Sequence, residues 1–226
     1  MNRAFVKRLL LGIPKSVYAN FKYLPVRQAI RLPILVSDKT RFIGTKGRVE
    51  IVEDRVRPGM FRVGLDGSGT ASCLPTRLEI NGVLRVEGRV RIGGGCSVTT
   101  IDENSRISLG RNTIIMGESR IMSSRLVQIG RDCMISWGVQ IMDTDWHSLY
   151  VDDRLINQDE DVVIGDRVWI CSNVTVLKGS AIPNESIIAA SSTISSSWNQ
   201  ERCIVAGLPL TIIKTDATWS KDRPLP

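Results

Sequence analysis

The sequence predicts an all-β solenoid, a triangular prism built from stacked short parallel strands. Three observations predict it. From residue 164 an aliphatic residue recurs every six positions: Ile164, Ile170, Val176, Ile182, Ile188 and Ile194. The position four further on is also restricted, to Val168, Val174, Ser180, Ser186 and Ser192, and then to Trp198. The same period runs upstream as Ile80, Val86, Ile92 and Val98, then Leu109, Ile115, Ile121 and Val127, then Ile129, Ile135 and Ile141, the last set displaced by two residues. A period of six matches neither the 3.6 of a helix nor one face of a lone strand. Repeats of this length mean coils that bury a continuous column only by stacking. Three six-residue sides give about 18 residues per coil.

The elements follow in order. Residues 1–36 read as a basic arm, with a short amphipathic helix carrying Phe5, Leu9, Leu10 and Ile13 on one face, then the Pro-punctuated "YLPVRQAIRLPILV". Residues 37–75 read as irregular strands ending in the Gly-rich loop "GLDGSGTASCLP". The prism occupies 76–198 with an excursion at 142–162, and Trp198, at a corner, marks where the pattern ends. Residues 199–226 supply a strand, "CIVAGLPLTIIK", and a polar tail around Trp219.

Charge is divided unevenly. Residues 1–48 hold eleven Lys/Arg against one acid, Asp38, while the rest of the chain holds 19 against 22. The body is therefore mildly acidic, and with 5% aromatic residues it lacks the basic stripe of a nucleic-acid binder. Five separated cysteines, without CxxC and with no histidine nearby, argue against zinc and against a disulfide framework, and free thiols fit a reducing compartment. The apolar run in "MNRAFVKRLLLGIPK" is too short for a signal peptide, and no window reaches the ~20 residues of a membrane span. The arm has two readings: a cap over the open end of the prism, which solenoids require, or a peripheral contact with an anionic membrane face.

Between Ile141 and Ile164 the hexads stop. The inward position six after Ile141 falls on His147, the only histidine in the chain. An apolar column would reject an unpaired imidazole, so "DTDWHSLYVDDRLINQDED" leaves the prism, and excursions from rigid scaffolds often carry function. In an extended stretch Asp143, Asp145 and His147 project to one side. A carboxylate beside an imidazole fixes its tautomer and raises its basicity, as a general base needs. A solvated surface histidine is the plain alternative. Asp145 is the first choice of orienting carboxylate, and Asp143 either holds the turn or binds an acceptor hydroxyl.

"VVIGDRVWICSNVTVLKGSAIPNESIIAASSTI", "DTDWH" and "IVAGLPLTIIK" together resemble the hexapeptide-repeat acyltransferases, most nearly the bacterial polysaccharide (sugar) O-acetyltransferases, over roughly residues 76–215. That resemblance implies a left-handed parallel β-helix and a homotrimer with the donor, acetyl-CoA, in a groove between subunits. It implies His147 as the base that deprotonates a sugar hydroxyl attacking the thioester, with Asp145 beside it and no metal. It implies substrate contacts from Asp143, Trp146 and Trp169, although outward packing between subunits accounts equally for Trp169. Ala189, Ala190 and Ser191 match the small residues along which pantetheine lies, and Lys178 and Lys214 are either phosphate contacts or solvated side chains. "AGLPLTIIK" departs from the usual "AGNPAK", and Cys171 replaces a glycine. The implied place of action is cytoplasmic, free or peripheral on the inner membrane face.

The leading expectation is an acetyl-CoA-dependent O-acetyltransferase of capsule, O-antigen or exopolysaccharide synthesis. The alternatives are a carrier-protein donor or amino-sugar acceptor, and a non-catalytic β-helix scaffold, which has no use for a base in an acidic loop. A zinc β-helix enzyme needs several histidines and is excluded with one.

Overall fold

The computed structural model describes residues 3–65 and 73–222. Three sheets wall one apolar column, and the chain visits them in turn. The first face carries Ile34–Val36, Phe61–Val63, Val90–Ile92, Ile114–Ile115, Met134–Ile135, Trp169–Ile170, Ile187–Ile188 and Ile204–Ala206, all parallel, with Thr211–Lys214 added antiparallel at its end. The second runs from Arg41–Phe42 to Thr193–Ile194, and the third from Arg48–Val52 to Ala181–Ile182. This is the β-helix that the hexads predict. The ladder residues are its inner column: Ile164, Ile170, Val176, Ile188 and Ile194 are all fully buried. Each such side chain contributes about 1.5–3 kcal/mol relative to exposure.

Register explains the displaced ladder. Ile164 pairs with Ile182, Ile170 with Ile188 and Val176 with Ile194, a coil of three hexads. Upstream, Ile115 pairs with Ile135 and Ile121 with Ile141, a coil two residues longer. The surplus sits at the corner between the second and third faces, six residues from Ile121 to Val127 but four from Val176 to Ser180. Stacked corners between the third and first faces hold Asn112, Asp132, Arg167, Glu185 and Arg202 at positive φ. The amide of Asp132 donates to the Arg111 carbonyl (2.8 Å), and that of Arg167 to the Arg131 carbonyl (2.7 Å), so each turn rests on the one before.

Two expectations change. Residues 37–75 are not irregular where described: Arg48–Val52 pairs with Val83–Glu87 over five residues, and Phe61–Val63 pairs with Val90–Ile92. The stacked coils thus start at Ile34 rather than at residue 76, and most of the Gly-rich loop lies outside the described residues. The helix, α1 (Arg3–Tyr23), is longer than expected and buries a different face. Leu10 and Ile13 are exposed, whereas Gly12, Ser16, Ala19, Asn20 and Tyr23 are buried. The reason is the edge it covers. Asn20 receives the Ile34 amide on Oδ1 (3.1 Å) and donates Nδ2 to the Ile34 carbonyl (2.7 Å), and Ser16 Oγ accepts from the Val36 amide (2.9 Å). Polar side chains thereby finish the ladder of an edge strand that would otherwise be left unpaired. Gly12 is required there, since a Cβ would lie 2.1 Å from the Val36 carbonyl oxygen. A short helix α2 (Val26–Ala29) follows. At the other end Trp198 is packed against the core, its indole N–H donating to the Gln200 carbonyl (3.1 Å).

Candidate active site

The excursion opens at the corner after Gln140–Met142, between the second and third faces. Asp143 is fully buried there. Its carboxylate accepts from the Ser123 hydroxyl (2.7 Å) and from the amides of Ser124 (2.7 Å) and Arg125 (2.9 Å) of the preceding coil. Of the two roles open to Asp143, holding the turn is the one realised. The acceptor-binding expectation is corrected, because no lone pair of a buried, saturated carboxylate is left for a sugar.

Beyond it the loop stands outside the prism, as the position of His147 in the ladder foretold. A two-stranded ribbon, Tyr150–Val151 against Arg154–Leu155, closes through Asp152 (φ 48°) and Asp153 (φ 57°), the two positive angles of a type I′ turn. Asn157 holds both sides: its Oδ1 accepts from the Leu149 amide (2.6 Å), and its Nδ2 donates to the His147 carbonyl (2.8 Å) and to Asp145 Oδ2 (3.0 Å). Lys178, from the next coil, donates its ammonium to Asp145 and to the Asn157 carbonyl (2.8 Å). The Lys178 and Asn157 hydrogen bonds hold the Asp145 carboxyl below the usual aspartate range.

Two further corrections follow. Asp145 is not hydrogen-bonded to His147; it anchors the loop on Lys178. Lys178 is accordingly engaged, with its side chain only 16% exposed, and is not a free phosphate contact. The imidazole of His147 is exposed and makes no hydrogen bond among the described residues, so it faces outward from a backbone clamped on both sides. Trp146 is exposed beside it at φ 68°, its amide capped by Thr144 Oγ1 (3.0 Å).

The other expected site residues lie elsewhere on the prism. Trp169 is on the first face, its indole N–H donating to Ser136 Oγ (3.2 Å). Its outer side is covered from this same chain: Trp219 of the C-terminal tail packs against it at 5.9 Å between centroids, and the Trp219 N–H donates to the Arg167 carbonyl (2.6 Å). Ala189, Ala190 and Ser191 form the next corner, between the first and second faces, with Ser191 at φ 59° over Ser172. Lys214 is exposed on the antiparallel strand. A single chain therefore does not bring the small-residue corner and His147 together. Cys96 and Cys133 are not poised as nucleophiles: both are buried, which pushes both thiols up to about 11. Among the described residues no group of His, Cys, Asp and Glu could hold a metal.

Sequence reasoning missed three things. Asn157 gave no signal beyond its place in the loop, and the partner of Lys178 lies 33 residues away. The third is a groove of about 440 Å³ at the corner between the third and first faces, where Arg55, Arg57, Arg62, Arg89 and Arg111 surround a single acid, Glu53. Past Arg91 it continues towards Lys221, over about 350 Å³ more. None of these arginines forms an ion pair among the described residues.

Fold and sequence define the class: what this chain is similar to is the hexapeptide-repeat acetyltransferases, with a left-handed β-helix, as the resemblance in its motifs implied. Over 71 residues, 30% of this chain, it is 41% identical to a polysialic acid O-acetyltransferase of Neisseria meningitidis, and over 124 residues it is 33% identical to WbbJ of Escherichia coli K12, described as a putative lipopolysaccharide biosynthesis O-acetyl transferase. A Klebsiella pneumoniae protein from the cps region is 27% identical over 88% of this chain. The structure of the polysialic acid O-acetyltransferase OatWY matches 82% of this chain and 92% of its own at a TM-score of 0.60 and 25% identity. No protein-family model matches. The chain spans 33% to 63% of the length of the relatives that are named O-acetyltransferases.

Proposed function

We propose that this protein is an O-acetyltransferase that moves an acetyl group from acetyl-CoA to a hydroxyl of a bacterial surface polysaccharide. The observation that carries the reading is the clamped loop: the only imidazole of the chain is held exposed by a buried carboxylate, an amide and an ammonium that fix its backbone. A scaffold has no reason to spend Asp143, Asn157 and Lys178 on presenting one histidine. His147 takes the proton of the sugar hydroxyl as its oxygen bonds to the thioester carbonyl carbon. The tetrahedral intermediate then breaks its C–S bond, and the imidazolium returns the proton to the departing thiolate, leaving a sugar acetate and free coenzyme A. A coenzyme A donor puts the reaction on the cytoplasmic side.

The assembly that suits this chemistry is a homotrimer. The small-residue corner at Ala189–Ser191 and the excursion with His147 occupy different corners of one prism, so packing prisms corner to corner about a three-fold axis brings one chain's loop to its neighbour's small-residue corner. Light scattering at micromolar concentration should give three chains, and a monomer would remove the intersubunit site.

The arginine groove favours an acceptor that carries negative charge along its length. Five guanidiniums without carboxylate partners form a surface that recognises carboxylates or phosphates at repeated spacing. Polysialic acid, the acceptor in the names of two relatives, has that chemistry. The first test is a calorimetric titration with acetyl-CoA, which requires no acceptor. Saturable binding near one site per chain supports the donor, and a thiol-release assay then ranks acceptors. A folded protein that binds no acetyl-CoA transfers the case to a carrier-protein donor, an amino-sugar acceptor or the scaffold.

A further inference from the structure

Helix α1 is amphipathic the wrong way round for a cap. The side that packs on the prism is small and polar (Gly12, Ser16, Ala19, Asn20) until Tyr23 at its end, and the side left in the open is apolar. Leu10, Val17, Tyr18 and Phe21 are 59%, 39%, 48% and 53% exposed, with Pro14 between them. Positions 10, 14, 17, 18 and 21 fall on one stripe of a 3.6-residue helix. Val26 and Ile30, just past the helix, are also exposed, by 67% and 65%. A contiguous apolar surface of this size on a folded protein marks something that covers it.

The charges around it say what. Lys7, Lys22, Arg27 and Arg31 are all exposed beside the stripe, and residues 1–37 contain no Asp or Glu. A second copy of this face would set cation against cation. An anionic lipid surface satisfies both components, taking the apolar stripe among its acyl chains and the cations at its headgroups. The helix does not cross: no described helix is long and apolar enough to do so. We propose that the outer face of α1, continued by Val26 to Arg31, lies in the interface of an anionic membrane while the inner face of the same helix caps the prism. The two readings of the basic arm thus belong to opposite sides of one helix. The enzyme is held where lipid-linked saccharide accumulates, whatever its acceptor proves to be.

The test uses the full chain and sedimentation with vesicles, and needs no turnover. The protein should pellet with phosphatidylcholine vesicles containing phosphatidylglycerol, and at least about tenfold less with phosphatidylcholine alone, since each cation near the surface contributes about a factor of five. Val17→Glu/Phe21→Glu should reduce partitioning by about tenfold or more, with an unchanged melting curve because neither side chain packs on the core. Lys22→Glu/Arg27→Glu should remove the preference for phosphatidylglycerol. A folded wild-type protein that stays in the supernatant, or a Val17→Glu/Phe21→Glu variant that pellets like wild type, overturns the proposal. So does a variant whose only change is a smaller mass by light scattering, which would make the stripe a contact between copies.

Discussion

Lys178 and Asp145, 33 residues apart, meet at the root of the excursion, and Asn157 completes the contact by bonding to both. The Asp145 side of the pair is 45% exposed, so the pair contributes under about 1 kcal/mol to global stability. Its effect is local, because it fixes the segment that carries His147. Lys178→Met or Asp145→Ala should leave the melting temperature within about two degrees and lower kcat by about tenfold or more. Hydrogen exchange should then rise at residues 144–158 and nowhere else. Unchanged exchange would show that Asn157 alone holds the loop.

The same contact sets a pH limit. Lys178 and Asn157 depress the Asp145 carboxyl, so its contribution is fully present above the ordinary aspartate value, near pH 4. It is lost as pH falls through the lower folded value. Exchange at 144–158 should therefore stay slow down to about pH 4 and accelerate below it. In Lys178→Met the acceleration should begin at higher pH.

Asp143 predicts a different phenotype. Removing its carboxylate leaves the Ser124 and Arg125 amides and the Ser123 hydroxyl without their acceptor at a closed corner. Asp143→Ala should cost about 2–4 kcal/mol in chemical denaturation. Asp143→Asn keeps one acceptor oxygen and should fall between. Wild-type stability in Asp143→Ala would mean that water replaces the carboxylate without loss.

His147→Ala separates chemistry from fold. The imidazole is exposed and supports no described contact, so stability should change by less than about 0.5 kcal/mol. The proposed base accounts for about 10²–10⁴ in rate, and acetyl-CoA binding should persist. Turnover at the wild-type rate would overturn the mechanism.

The inner column was legible because one constraint acts every six residues: an aliphatic side chain inward, with no tolerance for a polar one. Ile164 to Ile194 announces itself, and the failure of that rule at His147 marks where the chain departs. The early coils were not legible, since Arg48–Val52 and Phe61–Val63 are joined by longer corners that break the count. The partners of Asp145 could not be read either. An ammonium one coil later becomes a neighbour only through stacking, which spacing within a hexad does not encode. Nor could periodicity show that α1 turns its apolar side outward, because the identity of the buried face depends on the hydrogen bonds that the Ile34–Val36 edge demands of Ser16 and Asn20.

The arginine groove makes the last prediction, and it can be told apart from the rest. Arg57 and Arg111 stand two coils apart at one corner, with Arg89 on the coil between them, and carry no carboxylate partner among the described residues. They are exposed, so their removal leaves the column intact. If the groove grips an anionic polymer, binding energy from it is expressed equally in the ground and transition states, so its removal raises KM without changing kcat. Arg57→Ala/Arg111→Ala should therefore raise KM for polysialic acid by about thirtyfold, at about 1 kcal/mol per cation, with kcat unaltered. Wild-type KM should climb with salt as the charges are screened, and the double variant should climb less. A KM indifferent to both salt and substitution would mean that the acceptor is neutral or lies elsewhere, and the groove would then have no part in choosing it.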